Sequence, residues 1–124
     1  MKSVFVVLAL GCALCACAAP VHLDTPSGHP EVTISRVAPD RVKSALVNKM
    51  IDSGYRITKD TQFELTFDKP ADSALAILLL SSDRGGTPNM RVAYSIAQVG
   101  DDVRVVADVA IISNPGSPYE KTST

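Results

Sequence analysis

The sequence predicts an α+β domain in which an antiparallel sheet of about four to five strands carries one main helix packed on a face. Three features predict it. Apolar and polar residues alternate in "EVTISRV", "QFELTFD" and "MRVAYSIAQVGDDVRVVADVAIIS", the period of a half-buried strand. Val42, Ala45, Leu46, Lys49 and Met50 fall at helical spacing. Within the last run only Gly100-Asp101-Asp102 separates two strand-like halves, as a hairpin connection between antiparallel neighbours does.

In chain order, Glu31 to Val37 is expected to form the first strand, with Val32, Ile34 and Arg36 on one face and Thr33, Ser35 and Val37 on the other. Pro39 and Asp40 open a helix, because proline is tolerated in the first turn and a carboxylate suits its positive end. Val47 and Ile51 widen its apolar stripe, and Gly54 stops it after Ser53 in the manner of a left-handed cap. Tyr55 and Ile57 begin a strand that Lys59-Asp60-Thr61 interrupts; it either pairs with the next strand as a hairpin or only leads into it. Phe63, Leu65 and Phe67 then form the dry face of a second run. Asp72 or Ser73 is expected to cap a short helix carrying Leu75, Ile77, Leu78, Leu79 and Leu80, followed by a loop from Ser81 to Asn89. Two long strands close the domain, with Val92, Tyr94 and Ile96 on a face of one and Val103, Val105, Ala107, Val109 and Ile111 on a face of the other, about a Gly100-Asp101-Asp102 turn. The polar tail "NPGSPYEKTST" breaks structure, and no internal repeat is visible.

These boundaries divide the chain into a leader over 1–16, a linker over 17–30, a domain over 31–113 and a tail over 114–124. The leader begins Met1-Lys2-Ser3 and continues as the uncharged run "VFVVLALGCALCACAA", the layout of a secretory signal peptide. From Val4 to Ala19 it is short for a membrane span, which needs ~20 apolar residues. All three cysteines, Cys12, Cys15 and Cys17, lie here, so the folded part has no disulfide to staple it.

Leu14-Cys15-Ala16-Cys17 resembles a bacterial lipobox, in which a peptidase cuts before a cysteine carrying a diacylglyceryl thioether. The resemblance is to small bacterial envelope lipoproteins and implies that Cys17 is the acylated first residue of the mature chain. Cys15 stands where alanine, serine or valine is usual. Ala9-Leu10-Gly11-Cys12 offers a second box, with alanine in place of the usual leucine. Ala18 after Cys17 implies outer-membrane sorting, on the periplasmic side, since aspartate there favours the inner membrane. Diacylglyceryl and amide-linked acyl chains together give stable anchoring, at ~0.8 kcal/mol per buried CH₂. The rival is ordinary cleavage at the A-x-A site Ala16-Cys17-Ala18, which releases a soluble periplasmic domain acting as an inhibitor or accessory subunit. The helix that ends at Gly54 and runs straight into a strand from Tyr55 is also similar to a unit of small envelope lipoproteins and outer-membrane assembly factors, over about thirty residues.

Composition narrows the function further. The formal charge of -1 becomes -2 once Lys2 leaves with residues 1–16, and nucleic-acid binding needs clustered cations. With no tryptophan and 5% aromatic residues, a stacking platform for bases or sugars is not expected. Pro20, Pro26, Pro30 and Gly28 mark residues 18–30 as a tether of about thirteen residues, able to reach ~35–40 Å at ~3.1 Å per residue.

His22, His29, Asp24 and Glu31 could supply metal ligands, but a flexible tether fixes no geometry, so no metal is expected. Adjacent carboxylates at Asp101 and Asp102 suit a solvated turn better than acid–base work, which needs burial or a close like charge. After Glu31 there is neither histidine nor cysteine, no S-x-x-K motif, and "DRGGTPN" lacks phosphate-loop spacing. Enzyme activity and a cofactor are therefore not expected. The run "ALAILLL" has two readings: a core element closing the sheet, or an exposed surface for a protein partner built on Leu75, Leu78, Leu79 and Arg84. The expected function is a lipid-anchored, non-catalytic binding or scaffolding module.

Overall fold

The computed structural model of the chain describes residues 23–72 and 86–124. They form one antiparallel sheet of six strands and one helix: β1 Glu31–Ile34, α1 Pro39–Asp52, β2 Arg56–Asp60, β3 Glu64–Pro70, β4 Asn89–Val99, β5 Asp102–Ser113 and β6 Lys121–Ser123. The order is β1-β5-β4-β3-β2, and β6 shares the outer edge of β5 with β1. β1 pairs with β5 from Val103 to Val106, and β6 pairs with it from Ile111 to Ser113. β2 with β3 and β4 with β5 pair as hairpins, the former settling the alternative left open at Tyr55, while β1 pairs at long range with β5.

The helix obeys its local signals. Ala38 is extended with no side-chain cap, Pro39 occupies the first turn, and Asp40 sits at the positive end. At the other end the Gly54 N–H donates to the Ile51 carbonyl and the Tyr55 N–H to the Met50 carbonyl, at 2.9 and 3.0 Å. That pair of bonds is a Schellman cap, and it requires a left-handed residue, which Gly54 supplies at φ +85°.

One face of the sheet packs on α1. Val42 and Met50 of the helix meet Leu65 and Phe67 of β3, Val92 and Ile96 of β4, and Val103 and Val105 of β5. Phe67 and Tyr94 touch edge to face with ring centroids 6.1 Å apart. Leu46 and Val47 pack at the margin of this core.

Several expectations are corrected in detail. The first strand stops at Ile34 rather than Val37, because the chain turns at Arg36, which has φ +53°, to bring Pro39 over the sheet. The helix buries a narrower stripe than its spacing suggests, since Ala45, Lys49 and Ile51 face water. Phe63 lies before β3 and is 62% exposed instead of joining the dry face. On β5, Val109 is 51% exposed, although it points to the helix side, because α1 does not extend over it. Ala110 and Ile112, on the opposite face, are buried instead.

The tail is ordered against this end of the sheet. Glu120 reaches Arg91, the register partner of Ala110, and Lys121–Ser123 add a sixth strand. The last part of the linker is likewise held to the domain: the Ala107 N–H donates to the Pro30 carbonyl and Ser27 hydrogen-bonds Glu31. The expected helix and loop over Asp72 to Asn89 fall largely outside the described residues, which resume at Gly86.

Candidate functional site

Five strands side by side at ~4.8 Å spacing make a sheet ~19 Å wide, while a helix with its side chains is ~10 Å across. One helix therefore covers about half of a face, and here the uncovered part lies over β1 and the far end of β5, where Val32 and Val109 are exposed. Beside α1 runs an apolar groove lined by Val32, Leu46, Tyr94, Val105 and Ala107, which continues past Ile34, Val37 and Ala45. Val32 is 55% exposed within it.

A second, more polar cleft opens on the other side of α1, at the helix start. It is bounded by Pro39, Asp40, Lys43, Gln62, Phe63, Ile96 and Gln98. β3 and β4 position it from below: the Ile96 N–H donates to the Phe63 carbonyl at 2.8 Å, which fixes the turn that carries Phe63. Lys43 pairs with Asp60 and donates to the Thr61 carbonyl, tying the helix to the same turn.

The face away from α1 is a ladder of paired charges. Arg91 grips Asp68 through two bonds of 2.7 Å and lies 3.7 Å from Glu120. The Asp68 carboxylate beside it raises the Arg91 pKa, burial opposing the shift. Lys59 donates to Glu64 at 2.7 Å and lowers the Glu64 pKa. Arg104 donates to both oxygens of Glu31, at 2.8 and 3.3 Å, and this bond with that from Ser27 holds the Glu31 carboxyl down at about 2. Each charge on this ladder already has an opposite partner, so the face holds its own cations and anions rather than presenting a field of one sign.

The sequence-derived site residues stand as follows. Cys17, with Cys12 and Cys15, lies outside the described residues, as do Leu75, Leu78, Leu79 and Arg84. His29 lies 3.8 Å from Asp108 on the surface, and no group of three or more potential ligands is gathered among the described residues. Asp101 and Asp102 sit at the β4–β5 turn, where Gly100 takes φ +63° and Asp102 accepts a hydrogen bond from the Arg36 N–H. The groove and the cleft were not singled out from the sequence. Only the polar interruption Lys59-Asp60-Thr61, shortly before Phe63, hinted at a turn there. No helix among the described residues is long and apolar enough to cross a membrane. No family model, curated protein or solved structure matches the chain.

Proposed function

We infer that the protein is a lipid-anchored, non-catalytic binding or scaffolding module of the bacterial envelope, held through Cys17 to the periplasmic face of the outer membrane. The observation that carries this reading is Leu14-Cys15-Ala16-Cys17 followed by Ala18 at the end of a charge-free run. The domain after the leader offers a groove and a cleft for binding, while its sequence after Glu31 holds no histidine or cysteine to serve as base or nucleophile. Ser27 bonds Glu31 and Pro30 bonds Ala107, so the ordered domain begins within about ten residues of Cys17 in the sequence. The second reading, a soluble periplasmic domain, draws on the A-x-A site at Ala16-Cys17-Ala18.

Labelling cells with a radioactive fatty acid tests the anchor. The wild-type protein is expected to carry label and Cys17→Ala to lose it. Retention of label by the mutant transfers the anchor to Cys12 or Cys15, and an unlabelled wild-type chain beginning at Ala19 establishes the soluble reading. For the run "ALAILLL", Leu78→Asp separates its two roles: loss of copurifying protein from a folded domain marks a partner surface, and unfolding marks a core, since a buried unpaired charge is costly.

A further inference from the structure

We propose that the cleft at the start of α1 is a carbohydrate subsite that takes one ring of a neutral glycan chain against the phenyl group of Phe63. The proposal deepens the binding role argued above, since the glycan of the cell wall is a polymer within reach of an envelope domain on a short tether.

Five observations carry it. Phe63 leaves a large apolar ring in water although the core lies one strand position away, where Leu65 is fully buried. Burying a phenyl group is worth ~1.5–3 kcal/mol, so its exposure leaves a flat apolar surface for another molecule. Around that ring stand Gln62, Gln98 and Asp40, planar groups that donate or accept in one plane, as paired hydroxyls on a sugar require. Among the described residues the side chains of Asp40 and Gln62 have no hydrogen-bond or ion-pair partner, and the Gln98 side chain uses only its amino group, on the Gly100 carbonyl, leaving its oxygen to accept. Lys43 is neutralised by Asp60, so the cleft lacks the free cation that a phosphate or carboxylate ligand needs. Its volume of about 230 Å³ equals that of roughly eight waters at ~30 Å³ each, room for one pyranose ring.

The ligand class follows from this combination. A nucleobase would also stack on the ring, but its phosphate would find no cation; an apolar peptide would find the groove on the other side of α1 a drier seat. A ring with an apolar C–H face and hydroxyls at its rim matches both halves of the cleft. A low aromatic count limits how many platforms the chain can build, not where Phe63 stands.

Saturation-transfer NMR on the full chain in detergent micelles, with tetra-N-acetylchitotetraose as the probe and a proline-rich decapeptide as the competitor class, tests the proposal. Saturation is expected to reach the sugar ring protons. Phe63→Ala is expected to weaken binding tenfold or more and Gln98→Ala several-fold, while Phe63→Tyr retains it and all three keep the wild-type unfolding temperature. Absence of transfer at millimolar probe, equal binding by Phe63→Ala, or binding of the decapeptide in place of the sugar each overturns it. These outcomes do not depend on the anchor, because acylation is read separately by fatty-acid labelling.

Discussion

Phe63 and Phe67 share the odd-numbered face of one apolar run, yet Phe67 is completely enclosed and Phe63 stands in water. The difference is pairing. Phe67 lies inside β3, opposite Val92 and in edge-to-face contact with Tyr94, whereas Phe63 is still in the turn. Replacing Phe67 by alanine is expected to destabilise the domain by ~3–5 kcal/mol, through lost burial and the cavity left behind. Replacing Phe63 is expected to cost under ~0.5 kcal/mol. Urea denaturation of the two variants measures both. Gly54 is the other residue whose identity is dictated locally: a methyl group there meets the Lys69 side chain only at ordinary contact distance, so the penalty of Gly54→Ala is the left-handed backbone, ~1 kcal/mol. A thermal melt lowered by a few degrees is the expected readout for a domain of this size.

Within α1, neighbouring positions differ as sharply. Met50 is buried against the sheet and receives the Tyr94 hydroxyl at 3.5 Å, while Ile51 is half exposed. Met50→Ala is expected to cost ~2–5 kcal/mol and Ile51→Ala under ~0.5 kcal/mol, by the same denaturation measurement. Helical spacing made both candidates for the apolar stripe, because a periodic pattern locates a face but not how far the partner surface extends under it. β5 teaches the same lesson from the sheet side. Its alternation marks Val103 to Ile111 as the dry set, which holds for Val103 and Val105 and fails at Val109, beyond the reach of α1. Ile112→Ala, on the supposedly wet face, is expected to cost ~2–5 kcal/mol, and a loss below ~0.5 kcal/mol in chemical denaturation would show that Ile112 is not enclosed there.

At the scale of the molecule, the charge ladder on the face away from α1 joins segments far apart in the chain. Glu31 to Arg104 ties β1 to β5, and Asp68, Arg91 and Glu120 join β3, β4 and the tail. A carboxyl held near 2 in the fold and near 4.5 when unpaired releases its proton more readily in the folded state. Its contribution to stability is therefore complete above the unpaired value and lost as pH falls through the window from about 4.5 to about 2. Glu64, lowered by Lys59, acts in the same direction. Glu31→Gln is expected to flatten the fall in melting temperature across that window while leaving the dependence above pH 6 unchanged, as a pH series of thermal melts shows. Raising the salt concentration should weaken this contribution, since Arg104 is partly open to water.

The helix with its glycine cap and the long hairpin were legible in the residues themselves, because each depends on interactions within a few positions: left-handed backbone at Gly54 and a two-residue turn at Gly100-Asp101. The sixth strand, the pinning of Pro30, the narrow stripe of α1 and the exposed ring of Phe63 were decided only by the tertiary structure. Each turns on which surface lies against which, and a helix about half as wide as its sheet leaves that choice to packing rather than to pattern.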